Sequence, residues 1–142
     1  MKIAIATDQT GFGLKEHIKQ YLIEKNLEVV DLTPTPAADF VDSAVSVSEA
    51  VLKGEADRGI MFDEFGLGSA MASNKLHGMV TANVTEENTA HMTTDHNGAK
   101  AIAIGAGLVG NKLAEAIVDE YLSVDYAGGR HQIRLDMLEK LI

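Results

Sequence analysis

The chain has 142 residues, 46% of them hydrophobic and 23% charged, with no cysteine and a formal net charge of −9. That length predicts one domain over residues 1–142, with room for one core and not for two. The acidic balance without a Lys/Arg stripe argues against nucleic acid or an anionic membrane as partner, and the missing thiol excludes disulfides, thiolate metal sites and a cysteine nucleophile within this chain.

In chain order, short β-branched apolar runs alternate with longer stretches of helical period, the signature of βαβ units around a parallel sheet. Strands are predicted at Lys2 to Ala6, Glu28 to Leu32, Gly59 to Phe62, Met79 to Asn83 and Ala101 to Ile104. The intervening helices are predicted at Gly11 to Lys25, Asp42 to Lys53, Ser69 to Asn74, Glu86 to Asp95 and Gly110 to Leu122. A turn-rich break, Asp125-Tyr126-Ala127-Gly128-Gly129, then precedes a last helix from Arg130 to Ile142. Its Ile133, Met137, Leu138 and Leu141 share one side, to be buried either on this chain's own sheet or on a neighbour. The start, MKIAIATDQ, lacks the long apolar core of a signal peptide, and no stretch approaches about 20 apolar residues, so the expected location is cytoplasmic.

Ligands of open α/β sheets collect at the carboxyl ends of the strands. The third strand ends there in Phe62-Asp63-Glu64-Phe65-Gly66-Leu67-Gly68-Ser69. Gly66 and Gly68, followed by a helix start, suit a loop whose N–H groups cradle an anion, yet Asp63 and Glu64 would repel one; a Gly pair after a strand is also an ordinary tight turn. Asp8 and Asp63 at two strand ends would equally describe a phospho-acceptor receiver module holding Mg²⁺. Against that reading, the first strand offers one acid instead of an adjacent pair, and no Lys follows the fifth strand.

Of the five histidines, His17, His77 and His91 read as solvated surface groups. His96 closes the fourth helix beside Asn97 and Gly98, presenting an imidazole and a carboxamide together. This suits either acid–base chemistry or a helix C-cap. Arg130 and Arg134 stand four apart, hence on one helix face, with His131 beside them. Paired guanidiniums in an acidic chain suit a phosphate clamp or salt bridges to the chain's own acids.

Together, MKIAIATDQTGFGLK, Asp39-Phe40-Val41-Asp42, GIMFDEFGLGSAMASNKLHG, HNGAKAIAIGAGLVG and GGRHQIR closely resemble the ribose-5-phosphate isomerase B and galactose-6-phosphate isomerase family, over essentially the whole chain. The resemblance implies a three-layer α/β sandwich with a five-stranded parallel Rossmann-like sheet and a C-terminal helix reaching toward a partner subunit. It also implies aldose–ketose isomerisation of a phosphorylated sugar through a cis-enediolate, without metal or organic cofactor. In length and detail the chain is most similar to one of the two unlike chains of the heteromeric galactose-6-phosphate isomerases. These interconvert D-galactose 6-phosphate and D-tagatose 6-phosphate in lactose and galactose breakdown.

The family places a Cys-Gly-Thr-Gly-x-Gly loop after the third strand, with the Cys as base. Aligned on Gly66 and Gly68, this chain has Asp63 for the Cys, Glu64 for a Gly and Phe65 for the Thr, and Gln9 where a phosphate-contacting His is common. An enediolate there would face two extra charges, each costing up to roughly 4 kcal/mol at an effective dielectric near 20. The loop is therefore expected to be inactive. The parts the family gives to the opposite subunit are intact. By resemblance His96 assists ring opening, Arg130 and Arg134 hold the phosphate, and Asn97 lines the substrate. The expected partner is a homologous, Cys-containing chain in a hetero-oligomer. The alternatives are a self-sufficient pentose or hexose phosphate isomerase using Asp63 as base, and the receiver-like signalling module.

Overall fold

The computed structural model describes residues 1–141. Five strands, β1 (Lys2–Thr7), β2 (Glu28–Asp31), β3 (Arg58–Asp63), β4 (Thr81–Asn83) and β5 (Ala101–Gly105), form one all-parallel sheet in the order β2-β1-β3-β5-β4. The helices are α1 (Phe12–Glu24), α2 (Phe40–Leu52), α3 (Leu67–Ser73), α4 (Glu87–Asp95), α5 (Asn111–Ser123) and α6 (Gln132–Glu139), the last entered through a 3-10 turn at Gly129–His131. The strand order departs from the 2-1-3-4-5 order of doubly wound receiver-type folds, because β5 returns between β3 and β4. That topology removes the ground for the receiver reading, and among the described residues no cluster of three or more His, Asp or Glu is placed to hold a metal ion.

Side-chain alternation along the strands gives the sheet two unlike faces. Ile3, Ile5, Ile60, Phe62, Ile102 and Ile104 point to one face and pack with α1, α4 and α5; Ala4, Ala6, Met61, Ala101 and Ala103 point to the other and pack with α2 and α3. The result is the expected three-layer sandwich. Caps mark two helix starts in the sequence. The Asp39 carboxylate accepts from the Asp42 N–H at 3.0 Å to begin α2, and Glu86 accepts from the Asn88 and Thr89 N–H groups at 2.6 and 2.7 Å to begin α4.

The predicted last helix divides into the 3-10 turn and α6, and Ile142 lies outside the described residues. None of the residues of α6 is buried, and Ile133, Met137, Leu138 and Leu141 all remain exposed. The apolar side of this helix is thus not spent on the chain's own core. No helix among the described residues is long and apolar enough to cross a membrane.

The histidines read as solvated prove to be paired. His17 Nε2 lies 2.8 Å from Glu115 and His91 Nδ1 lies 3.0 Å from Glu120, so α5 is linked to α1 and to α4; His77 Nε2 lies 3.0 Å from Glu139 of α6.

The one lysine with no exposed surface, Lys15, points from α1 to the end of β2. Its Nζ donates to Asp31 at 2.9 Å, Glu16 at 2.6 Å and the Thr33 carbonyl at 3.1 Å, while Lys19 donates to the same Asp31 oxygen at 2.9 Å. Burial pushes the Asp31 carboxyl up, but the two ammonium groups and the Thr33 N–H outweigh it and hold Asp31 below its ordinary value. A depressed carboxylate pKa contributes stability above the unfolded value near 4 that is lost as pH falls through the folded value. Replacing Asp31 by Asn is expected to cost about 3 kcal/mol in urea unfolding at pH 7, since it leaves a buried ammonium short of a counter-charge. The variant should also lose part of the wild-type fall in stability between about pH 5 and pH 2.

Candidate active site

Two groups of predicted residues emerge, and the sheet separates them. The first is the loop after β3. Asp63, only 4% exposed, folds back into its own loop: one carboxylate oxygen accepts from the Gly66 N–H, and the other from the Ser69 N–H at 3.0 Å and the Ser69 hydroxyl at 2.6 Å. The inward-facing N–H groups that suit an anion cradle are therefore filled by this residue's own side chain. The expectation that Asp63 merely repels an anion is too simple, because it is itself the resident anion. With both oxygens engaged and little exposed surface, it is also poorly placed to abstract a proton, which counts against a self-sufficient enzyme using Asp63.

The rest of the loop is fixed by close backbone approaches. Gly66 has φ +76°, and a Cβ there would strike the Asn83 carboxamide. Asn83, at the end of β4, donates to the carbonyls of Phe65 and Ala103, both at 3.2 Å, and so latches the loop to β5. Gly105 lies directly against the Phe65 backbone, with no room for a Cβ, and the Ala106 and Gly107 N–H groups donate to the Asp63 and Glu64 carbonyls at 2.8 Å. Glu64 and Phe65 face solvent, and Gly68 sits under the Phe40 ring. Asp8 is likewise self-contained, accepting from the Thr10 N–H and hydroxyl at 2.9 and 2.6 Å.

The second group lies at the other edge of the sheet. Arg58, the first residue of β3, donates to the Tyr121 and Val124 carbonyls at 2.6 Å, anchoring the end of α5 where the strands begin. The chain then runs to Ala127, whose N–H donates to the Asp95 carbonyl at the end of α4 at 3.0 Å. Gly98 holds the αL turn after α4 and rests on the Tyr126 ring, and the Tyr126 hydroxyl donates to Gln132 at 3.0 Å. These contacts bring His96, Asn97, Arg130, His131 and Arg134 around one open cleft of about 400 Å³.

Within the cleft the His96 and His131 rings stack, with centroids 4.3 Å apart and planes 16° from parallel. His96 Nε2 stands 3.7 Å from the Asp95 carboxylate. The Arg134 guanidinium donates to the Arg130 carbonyl at 3.2 Å. Despite the chain's many acids, neither guanidinium forms an ion pair with a carboxylate among the described residues, unlike Arg58, which pairs with Asp125 at 3.1 Å. The cleft thus offers two uncompensated cations, an imidazole pair and a carboxamide, an arrangement suited to a small phosphorylated or carboxylated ligand.

The distance between the groups follows from the sheet. β3 runs six residues from Arg58 at the cleft edge to Asp63 at the loop edge, which at ~3.3 Å per residue is about 17 Å. Loop and cleft of one copy therefore cannot close on the same small molecule.

Comparison with known proteins agrees with the fold and the motifs. The sequence model of the ribose/galactose isomerase family matches residues 3–138. The galactose-6-phosphate isomerase subunit LacA of Clostridium acetobutylicum is 51% identical over 142 residues, covering all of both chains; that of Enterococcus faecalis is 42% identical over 141 residues, covering 99% of each. Among solved structures, ribose-5-phosphate isomerase B of Clostridium thermocellum superposes with a TM-score of 0.96 at 38% identity, over 99% of this chain and 97% of its own. The Mycoplasma genitalium enzyme with bound ribulose 5-phosphate superposes with 0.92 at 36%, over 99% and 95%. The chain belongs to the ribose/galactose isomerase family and is a sugar-phosphate isomerase.

Sequence reasoning missed Asn83 as the latch of this loop, and it marked the segment from Gly105 only as a strand carboxyl end, not as the backbone against which the loop packs. Their only signal is position, at strand carboxyl ends. Replacing Asp63 by Ala is expected to strand two buried N–H groups and cost about 2–3 kcal/mol in chemical unfolding. Glu64→Gln, on the solvent side of the same loop, should stay within about 0.5 kcal/mol of wild type.

Proposed function

We propose that this chain is one subunit of a heteromeric galactose-6-phosphate isomerase of lactose and galactose breakdown. Its cleft would contribute His96, Asn97, Arg130 and Arg134 to a site completed by the Cys-bearing loop of a homologous partner. The observation that carries the reading is the division of the chain into an intact cleft and a self-filled loop at opposite edges of one sheet. The subunit names of its relatives support it, since they are given to chains of heteromeric enzymes. The exposed apolar side of α6, beside the cleft, is a suitable surface for such a partner.

In this reading Arg130 and Arg134 receive the 6-phosphate, for which bidentate guanidinium contacts are well shaped. His96 gives a proton to the ring oxygen as the C1–O5 bond breaks and the anomeric hydroxyl loses its proton, so that C1 becomes the aldehyde. The partner's loop then supplies the base that takes the proton from C2 and returns it at C1, while the O2 hydroxyl proton passes to O1, so that C2 becomes the carbonyl of the ketose. Charge on the enediolate oxygens is met by N–H donors of the partner's loop and by the Asn97 carboxamide. Reacting groups on both chains explain why both are needed.

Purified alone, the chain is expected to show no turnover of D-galactose 6-phosphate above background. Mixed or co-expressed with its Cys-bearing homologue it should isomerise the sugar, as followed by tagatose 6-phosphate formation. In that complex Arg134→Ala should weaken sugar-phosphate binding by about 1.5–3 kcal/mol, the scale of a charged hydrogen bond. Robust turnover by the chain alone, or unaltered kinetics in the Arg134 variant, would count against the reading.

A further inference from the structure

We propose that His131 is a positioning residue for His96: its stacked ring fixes the plane of the His96 imidazole. The inference rests on the reading of the cleft as a ring-opening and phosphate site. His96 is the C-cap of α4, half-buried, and among the described residues no hydrogen bond holds its ring, its nearest carboxylate being that of Asp95 at 3.7 Å. Such a side chain has two rotatable bonds and an unrestrained ring edge. The restraint comes from across the cleft, where His131 closes the 3-10 turn at the start of α6 and lays its ring 4.3 Å from that of His96 at 16°. The turn is in turn fixed to α4 through the Ala127 N–H on the Asp95 carbonyl and through Tyr126, which touches Gly98 and bonds Gln132. The His96 ring edge is thereby left toward the cleft that Arg130 and Arg134 share.

The test follows the ring C–H resonances of His96 in the full chain by NMR. Wild type, His131→Phe and His131→Ala are compared, and the amide spectrum verifies folding. The His96 ring resonances should be displaced by the stacked neighbour in wild type and in His131→Phe, which keeps an aromatic ring there, and should lose that displacement in His131→Ala. In the two-chain complex His131→Ala should lower kcat about tenfold with KM within twofold, as expected when an acid is misaligned. His131→Phe should restore most of that loss. Identical His96 ring resonances in all three proteins would overturn the proposal, as would a kcat loss that Phe does not restore. Loss of turnover in His96→Ala with full turnover in His131→Ala would overturn the positioning role and leave the cleft reading standing. Full turnover in both would overturn the two together.

Discussion

Every strand of the sheet runs in the same direction, and the placement of this chain's chemistry depends on that. Parallel strands joined by right-handed crossovers put all loops that follow strands on one edge and all loops that follow helices on the other. Asp63 follows a strand; His96 and Asn97 follow α4, and Arg130 and Arg134 lie beyond α5. The two groups are held apart by the length of β3, and no side-chain adjustment closes that gap. A site that needs both kinds of group must therefore draw one of them from another molecule. The unburied apolar side of α6, next to the cleft, is consistent with that need.

The two edges are also electrostatic opposites. In the loop, N–H groups converge on a point and a carboxylate of the same chain satisfies them, at short distances and almost out of contact with water. In the cleft, two guanidiniums converge with no carboxylate paired to them among the described residues, although the chain carries 21 acidic residues against 12 basic ones. Leaving cations unpaired in so acidic a chain forgoes favourable contacts that were available. Such a cost is common at binding sites, where the charge is reserved for a ligand. In this loop the Ser69 N–H and hydroxyl are held by the chain's own Asp63 carboxylate.

Much of this was legible in the residues. The five strands stood out because buried parallel strands are short, β-branched and bounded by turn residues, and each observed strand overlaps its expected span. The arginine pair was legible because Arg130 and Arg134 are spaced for one helix face, and His96-Asn97-Gly98 because a helix C-terminus ending in Asn-Gly has a recognisable form. What was not legible depends on contacts distant in sequence. The strand order places β5 inside β4, and local pattern carries no information about that. The self-capping of Asp63 needs the backbone of Gly66 and Ser69 to turn back on it, which a string of residues does not announce. The His96–His131 stack joins positions 35 residues apart (131 minus 96) through a turn whose geometry Gly128 and Gly129, both at positive φ, make available. The last helix was expected to be longer because its apolar spacing persists past Glu139, but the described helix ends there.

The most direct measurement of the split site is steady-state isomerisation of D-galactose 6-phosphate by the two-chain complex with His96→Ala in this chain and an unmodified partner. If the only productive site pairs this chain's cleft with the partner's loop, kcat should fall by about 10² or more, the usual scale for loss of a general acid, and the partner's own cleft should not compensate, because it would face the loop that Asp63 has filled. Turnover at the wild-type rate would contradict the proposal that this cleft serves the reaction.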